Sequence, residues 1–211
     1  MKRPACKAWH QAALGLVLLA VLALPVARHG LESSMWRHML LQFPLWMLAG
    51  ALLAAMLPPR MRSGLAPWNA HGITGLVWVG VVLSVLMVPR VLDLALRDAG
   101  IEAAKCSALL LAGALLRLSW RPAGLVLQGF FLGMLLPMMV VVGQLYIDSP
   151  LRLCNAYLLD DQVRLGRWLI GLAAVFALAW LAHVGWHLVR REESMLMAGE
   201  SQAPPWRAKS Q

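Results

Sequence analysis

The chain has 211 residues, 60% of them hydrophobic and 14% charged, with a mean hydropathy of +0.67. Soluble domains carry about 45–50% apolar and about 25% charged residues, so the composition argues against a soluble globular fold. The net charge of +9 would suit nucleic acid, but the basic residues flank apolar runs, where anionic lipid accounts for them and no nucleic acid is needed.

Six apolar runs follow one another: Trp9–Ala27, Arg37–Leu57, Gly72–Val88, Ala104–Trp120, Gly124–Ile147 and Trp168–Val189. Each is near the roughly 20 residues that cross a bilayer as a helix, and runs of this length in lipid must pair their backbone internally. The predicted fold is therefore all-α: a polytopic membrane helix bundle of about six transmembrane helices over residues 9–189. Residues 1–8 form a basic N-terminus, and 190–211 a disordered tail. The first run also fits a signal peptide, since Met1–Lys7 is basic. Pro25 interrupts the stretch before Ala27, which favours a retained helix.

Basic residues orient the bundle. One set of breaks holds Lys2, Arg3, Lys7, Arg60, Arg62, Arg117, Arg121, Arg190, Arg191, Arg207 and Lys209, 11 residues against 8 in the other set. Seven of the ten acidic residues, Glu32, Asp93, Asp98, Glu102, Asp148, Asp160 and Asp161, lie in that second set. Both termini are expected in the cytoplasm, with Trp9, Trp68, Trp120 and Trp186 near the cytoplasmic surface and Trp36 and Trp168 near the outer one. Arg117 is close enough to a span end to snorkel, and no role is assigned to it.

No phosphate loop, nucleophile elbow, CxxC or HExxH pattern occurs, so no enzymatic activity is expected. Three scattered cysteines, Cys6, Cys106 and Cys154, do not make a disulfide framework. The outward breaks do gather soft donors. Met35, His38 and Met39 open the second run, with Gln42 one turn below His38; Met87 closes the third; Cys106 opens the fourth; and Cys154 follows the fifth. Met134 and Met138 share one helix face. Thiolate, thioether and imidazole together suit Cu(I), although methionine is also a common filler of helix packing. Near the opposite surface, with His10 and His71, His183 and His187 lie four apart. They are placed to anchor at the interface or to ligate a metal or haem.

The segment Ser34–Leu53 (SMWRHMLLQFPLWMLAGALL) resembles the second-helix signature of the CtaG-type cytochrome c oxidase assembly factors, which are multi-pass bacterial membrane proteins. His38 and Met39 match that signature, and Gln42 replaces its second histidine. Met87–Ala95 (MVPRVLDLA) is similar to the family's His-x-Pro and Tyr-Asp segment: Pro89 and Asp93 match, while Met87 and Leu92 replace the histidine and tyrosine. Aligning the next Leu-rich run on Leu110–Gly113 puts Lys105 and Cys106 at a Glu-His pair. Pro150–Gly166 (PLRLCNAYLLDDQVRLG) resembles the family's following loop at Pro150, Tyr157, Asp161, Gln162 and Gly166.

The resemblance implies an accessory factor for cytochrome c oxidase biogenesis in the bacterial inner membrane. Its partners would be oxidase subunits within the lipid bilayer, and it would handle Cu(I) at its periplasmic face. The expected donors are His38, Met87 and Cys106, with Met39 and Cys154 weaker. Lys105 beside Cys106 would favour the thiolate. Loss of the metal with retention of the scaffold explains the replaced histidines equally well, and a Cys106–Cys154 disulfide is a competing outcome. The alternatives are a haem-binding electron carrier using His183 or His187 and, third, a copper or small-solute transporter.

Overall fold

The computed structural model describes residues 3–201, with side chains described over 8–193. Met1, Lys2, Arg207 and Lys209 therefore lie outside the described residues, as does the tail beyond Ser201. The described residues form helices joined by short turns and loops, without a strand. They divide into two units at Ala173.

In the first unit, α1 (Arg3–Ala23) stops one residue before Pro25, which has no N–H to continue it. The chain resumes as α2 (Pro25–Glu32) at 73° to α1, with the proline in the first helical turn, where its missing N–H costs nothing. The next span, Met35–Met56, is one path of several turns: α3 (Met35–Arg37), a π-helical turn (His38–Gln42), α4 (Phe43–Leu53) and a 3₁₀ turn (Ala54–Met56). The π turn is wider than an α turn, and His38, Met39 and Gln42 are all buried on it. After α5 (Pro59–Leu65), the chain bends by 73° and a 3₁₀ turn (Ala70–Gly72) leads into α6 (Ile73–Leu86). α7 (Pro89–Arg97) then leads to Asp98, whose carboxylate caps α8 (Ala99–Asp148) by accepting from Gly100 N at 2.7 Å and Ile101 N at 3.0 Å.

α8 holds both the fourth and the fifth predicted runs. Its backbone is broken at Gly124 (φ 61°, ψ 179°), a conformation essentially reserved for glycine. Lys105 bonds to His38, and His38 to Tyr157; Tyr146 accepts from Gln162, five residues past Tyr157. A straight helix would hold residues 105 and 146 about 60 Å apart, so α8 folds back on itself at Gly124. The first arm crosses α4 at very close range. A Cβ on Gly50 would strike the Leu110 carbonyl, and one on Gly113 the Met47 carbonyl, which is the small-residue contact that lets membrane helices approach. The second arm lies along α6, where Met138 Sδ accepts from Ser84 Oγ at 3.2 Å and Met134 reaches Gly80. The expected shared face of Met134 and Met138 is thus the one turned to α6.

Among the described residues, three helices are long and apolar enough to cross a membrane: Met35–Met56, Ala99–Asp148 and Leu159–Glu193. Taking each bent pair (Ala8–Glu32 and Pro59–Leu86) as one span makes five.

The second unit is the part of α9 (Leu159–Ser201) beyond Ala173, a single helix with Val175, Phe176, Leu178 and Leu181 exposed. The helix continues to Ser201, past the point where the tail was expected to begin.

Candidate functional site

At the end of the bundle where α2, the π turn and the start of α8 meet, the structure buries a polar cluster centred on Lys105. Lys105 is 3% exposed and pairs with Glu102, one helical turn earlier and 5% exposed, at 2.7 Å between Nζ and Oε2. Its ammonium also donates to His38 Nε2 at 2.8 Å and to Gln42 Oε1 at 3.4 Å. An ammonium has donors only, so Nε2 accepts. His38 is then the Nδ1–H tautomer and donates to the Tyr157 hydroxyl at 2.7 Å. Phe43 packs edge-on against the imidazole, with ring centroids 5.5 Å apart.

The cluster extends toward α2. Gln42 Nε2 donates to Glu32 Oε1 at 3.2 Å, Glu32 pairs with Arg28 at 3.0 Å, and Arg28 lies 3.6 Å from Glu102 Oε1. The part-exposed Arg28 and the buried Lys105 thus face two carboxylates, and the Lys105–Glu102 pair offsets its desolvation by this mutual attraction. A cavity of about 250 Å³ borders Arg28, Gln42, Trp46, Glu102 and Cys106. Trp46 keeps its indole N–H buried there without a hydrogen-bond partner.

A second cluster ties the loop after α8 to α7. Asp93 accepts from Cys154 Sγ at 2.8 Å, from Asn155 N at 2.9 Å and from Ala156 N at 3.1 Å. Burial alone would raise the Asp93 carboxyl, but these three donors hold it below the usual carboxylate range. The Cys154 thiol is pushed up to about 12, first by burial and then by its bond to Asp93. The Tyr157 hydroxyl is raised too, chiefly by burial. Gln162 pins the same loop, accepting from Leu153 N at 2.9 Å and donating to the Tyr146 carbonyl at 3.1 Å.

The five residues expected to hold copper have different hydrogen-bond partners and surroundings. His38 and Cys106 belong to the Lys105 cluster, with Cys106 Sγ 3.5 Å from Glu102 Oε1. Met39 is buried in the core beside His38. Cys154 sits on Asp93, and the Met87 carbonyl accepts from Tyr146 Oη at 2.9 Å. Both ring nitrogens of His38 are engaged, Nε2 by the Lys105 ammonium and Nδ1 by the Tyr157 hydroxyl. Among the described residues, no three His, Cys, Asp or Glu side chains gather as a metal-holding group. Cys106 and Cys154 are free thiols, each with its own carboxylate.

Glu102 and Lys105, at the head of the fourth apolar run, are among the most buried polar side chains. The available signal was the Glu-x-x-Lys spacing at the head of an apolar run, which puts opposite charges on one helix face. Arg117 donates to the Ala51 carbonyl at 2.9 Å and to Gln11 Oε1 at 2.6 Å. In the second unit, the His183 and His187 rings lie 5.1 Å apart, as four-residue spacing requires, and Trp180 is 5.8 Å from His183.

Comparison with protein-family models, with characterised proteins and with solved structures finds no match to this chain.

Proposed function

We propose that this chain is a six-span protein of the bacterial inner membrane, with both termini cytoplasmic, acting as an accessory factor in cytochrome c oxidase biogenesis without turnover of its own. The six spans are the five counted by length with the arms of α8 taken separately. The observation that carries the reading is the position of His38 between Lys105 and Tyr157. These three residues come from three of the four segments that resemble the oxidase assembly factors, and they meet through two hydrogen bonds of 2.8 and 2.7 Å. The remaining segment supplies Asp93, which holds the loop carrying Tyr157.

The role is that of a scaffold presenting this end of the bundle to an oxidase subunit, and Cu(I) handling there is its narrower form. A deletion strain under copper limitation should show reduced oxidase activity and a weakened oxidase spectrum, restored by the wild-type gene. Normal activity and spectrum would overturn the proposal. Cu(I) titration of the reduced, detergent-purified protein tests the narrower form: stoichiometric binding lost in Cys106→Ser and weakened in His38→Ala supports it, and no binding leaves the scaffold role alone. Reporter fusions after Leu57 and Gln211 should report cytoplasm, and those after Glu32 and Asp98 periplasm.

The paired rings of His183 and His187 favour a second reading, a haem-binding electron carrier. A haem absorbance band in the purified protein would support it.

A further inference from the structure

A second hollow lies at the opposite end of the first unit from the Lys105 cluster. It is a groove of about 1290 Å³ between α4, the N-terminal half of α6 and the first arm of α8. Along the first arm its lining runs from Leu111 to Arg121, roughly 15 Å of helix, which is the depth of one leaflet of a hydrocarbon core about 30 Å thick. Its inner walls are apolar, with Met47, Leu48 and Trp78 among them.

Asn69 and Thr74, which line these walls with His71, are satisfied internally. Asn69 donates to Ser119 Oγ at 2.9 Å and accepts from Gly75 N at 2.9 Å, and Thr74 Oγ1 donates to the Trp68 carbonyl at 2.7 Å.

The rim is different. Arg62, Arg117 and Arg121 all line it, and no carboxylate does. Arg62 and Arg117 donate to backbone carbonyls at the end of the Met35–Met56 span: Arg62 to Ala54 and Ala55, and Arg117 to Ala51. None of the three is ion-paired among the described residues. Three uncompensated cations thus crown an apolar slot one leaflet deep, with Trp68, 81% exposed, beside them.

We propose that this groove binds an anionic phospholipid of the surrounding bilayer, its phosphate among Arg62, Arg117 and Arg121 and an acyl chain between α4, α6 and α8. Juxtamembrane arginines attract anionic lipid by about 1 kcal/mol each, or about fivefold in affinity per side chain. Charge complementarity selects the head group, and the apolar depth selects a lipid over a soluble anion.

The test is native mass spectrometry of the full chain released from detergent containing equal amounts of phosphatidylglycerol and phosphatidylcholine. The expected result is a retained lipid adduct at least about fivefold richer in phosphatidylglycerol. Arg121→Gln, which removes an exposed side chain and none of the carbonyl contacts above, should lower that preference about fivefold at unchanged melting temperature. Glycerol 3-phosphate, which has the head group without the chain, should not displace the adduct. Equal retention of the two lipids, an undiminished preference in a folded Arg121→Gln variant, or displacement by glycerol 3-phosphate would each overturn the proposal.

Discussion

Lys105 Nζ lies 2.8 Å from His38 Nε2, although the two residues are 67 positions apart in the chain. The contact closes a chain of buried hydrogen bonds from Glu102 through Lys105 and His38 to Tyr157. It ties α8, the π turn and the loop before α9 into one unit. A buried network of this kind stabilises when complete and is costly when one member is lost.

Removing one charge of the central pair should therefore cost more than removing both. Lys105→Met leaves Glu102 buried without its ammonium, and the expected loss is about 3–5 kcal/mol. The double variant Glu102→Leu with Lys105→Met should recover much of that loss. Thermal unfolding of the three proteins in one detergent measures the difference.

Tyr157→Phe removes the acceptor of His38 Nδ1–H and leaves that nitrogen buried and unpaired. A loss of roughly 1–3 kcal/mol is expected. In the Tyr157→Phe background, His38→Leu should cost less than it does in the wild type, because the two residues share one bond. A double-mutant cycle in denaturant reads the coupling directly.

The α4–α8 crossing makes a sharp prediction for glycine. Gly50→Ala or Gly113→Ala sets a methyl against a backbone carbonyl that cannot step aside, and a destabilisation of about 1–3 kcal/mol or more is expected. Gly124→Ala meets no neighbour yet sits at positive φ, so its cost, about 1–3 kcal/mol, is backbone strain. Gly133→Ala has open space and ordinary helical geometry, and should be neutral or slightly stabilising. Melting temperatures of the four variants test the order.

Asp93 gives the loop a pH dependence. Its carboxyl lies below its ordinary value of 3.8 in the folded protein, so its stabilising contribution is present above that value and is lost as pH falls through the lower folded one. Stability measured from pH 5 downward should fall more steeply in the wild type than in Asp93→Asn. The neighbouring thiol provides a second measurement. Cys154 is 1% exposed and remains protonated far above neutrality. In a Cys6→Ser, Cys106→Ser background, maleimide at pH 8 should label it only after unfolding.

An all-helical chain with helices of bilayer length was legible from residue order alone, because the apolar runs are near that length and lipid would leave the backbone no alternative to internal pairing. Pro25 was visible as an interruption for an equally local reason, since it removes an N–H, whereas Gly124 had been placed at the start of the fifth run and only the structure shows α8 broken there. His38 was singled out by its place in the Ser34–Leu53 segment, and the structure puts it inside the cluster. Its actual neighbours could not be read in this way. Glu102 was expected in a break and Lys105 only as the neighbour of Cys106, and the folding-back of α8 and the crossing of α4 bring His38, Gln42 and Tyr157 around them. Whether a charge near a span end faces water or a partner depends on which helix packs over it. That is a contact between distant segments, and no local pattern encodes it.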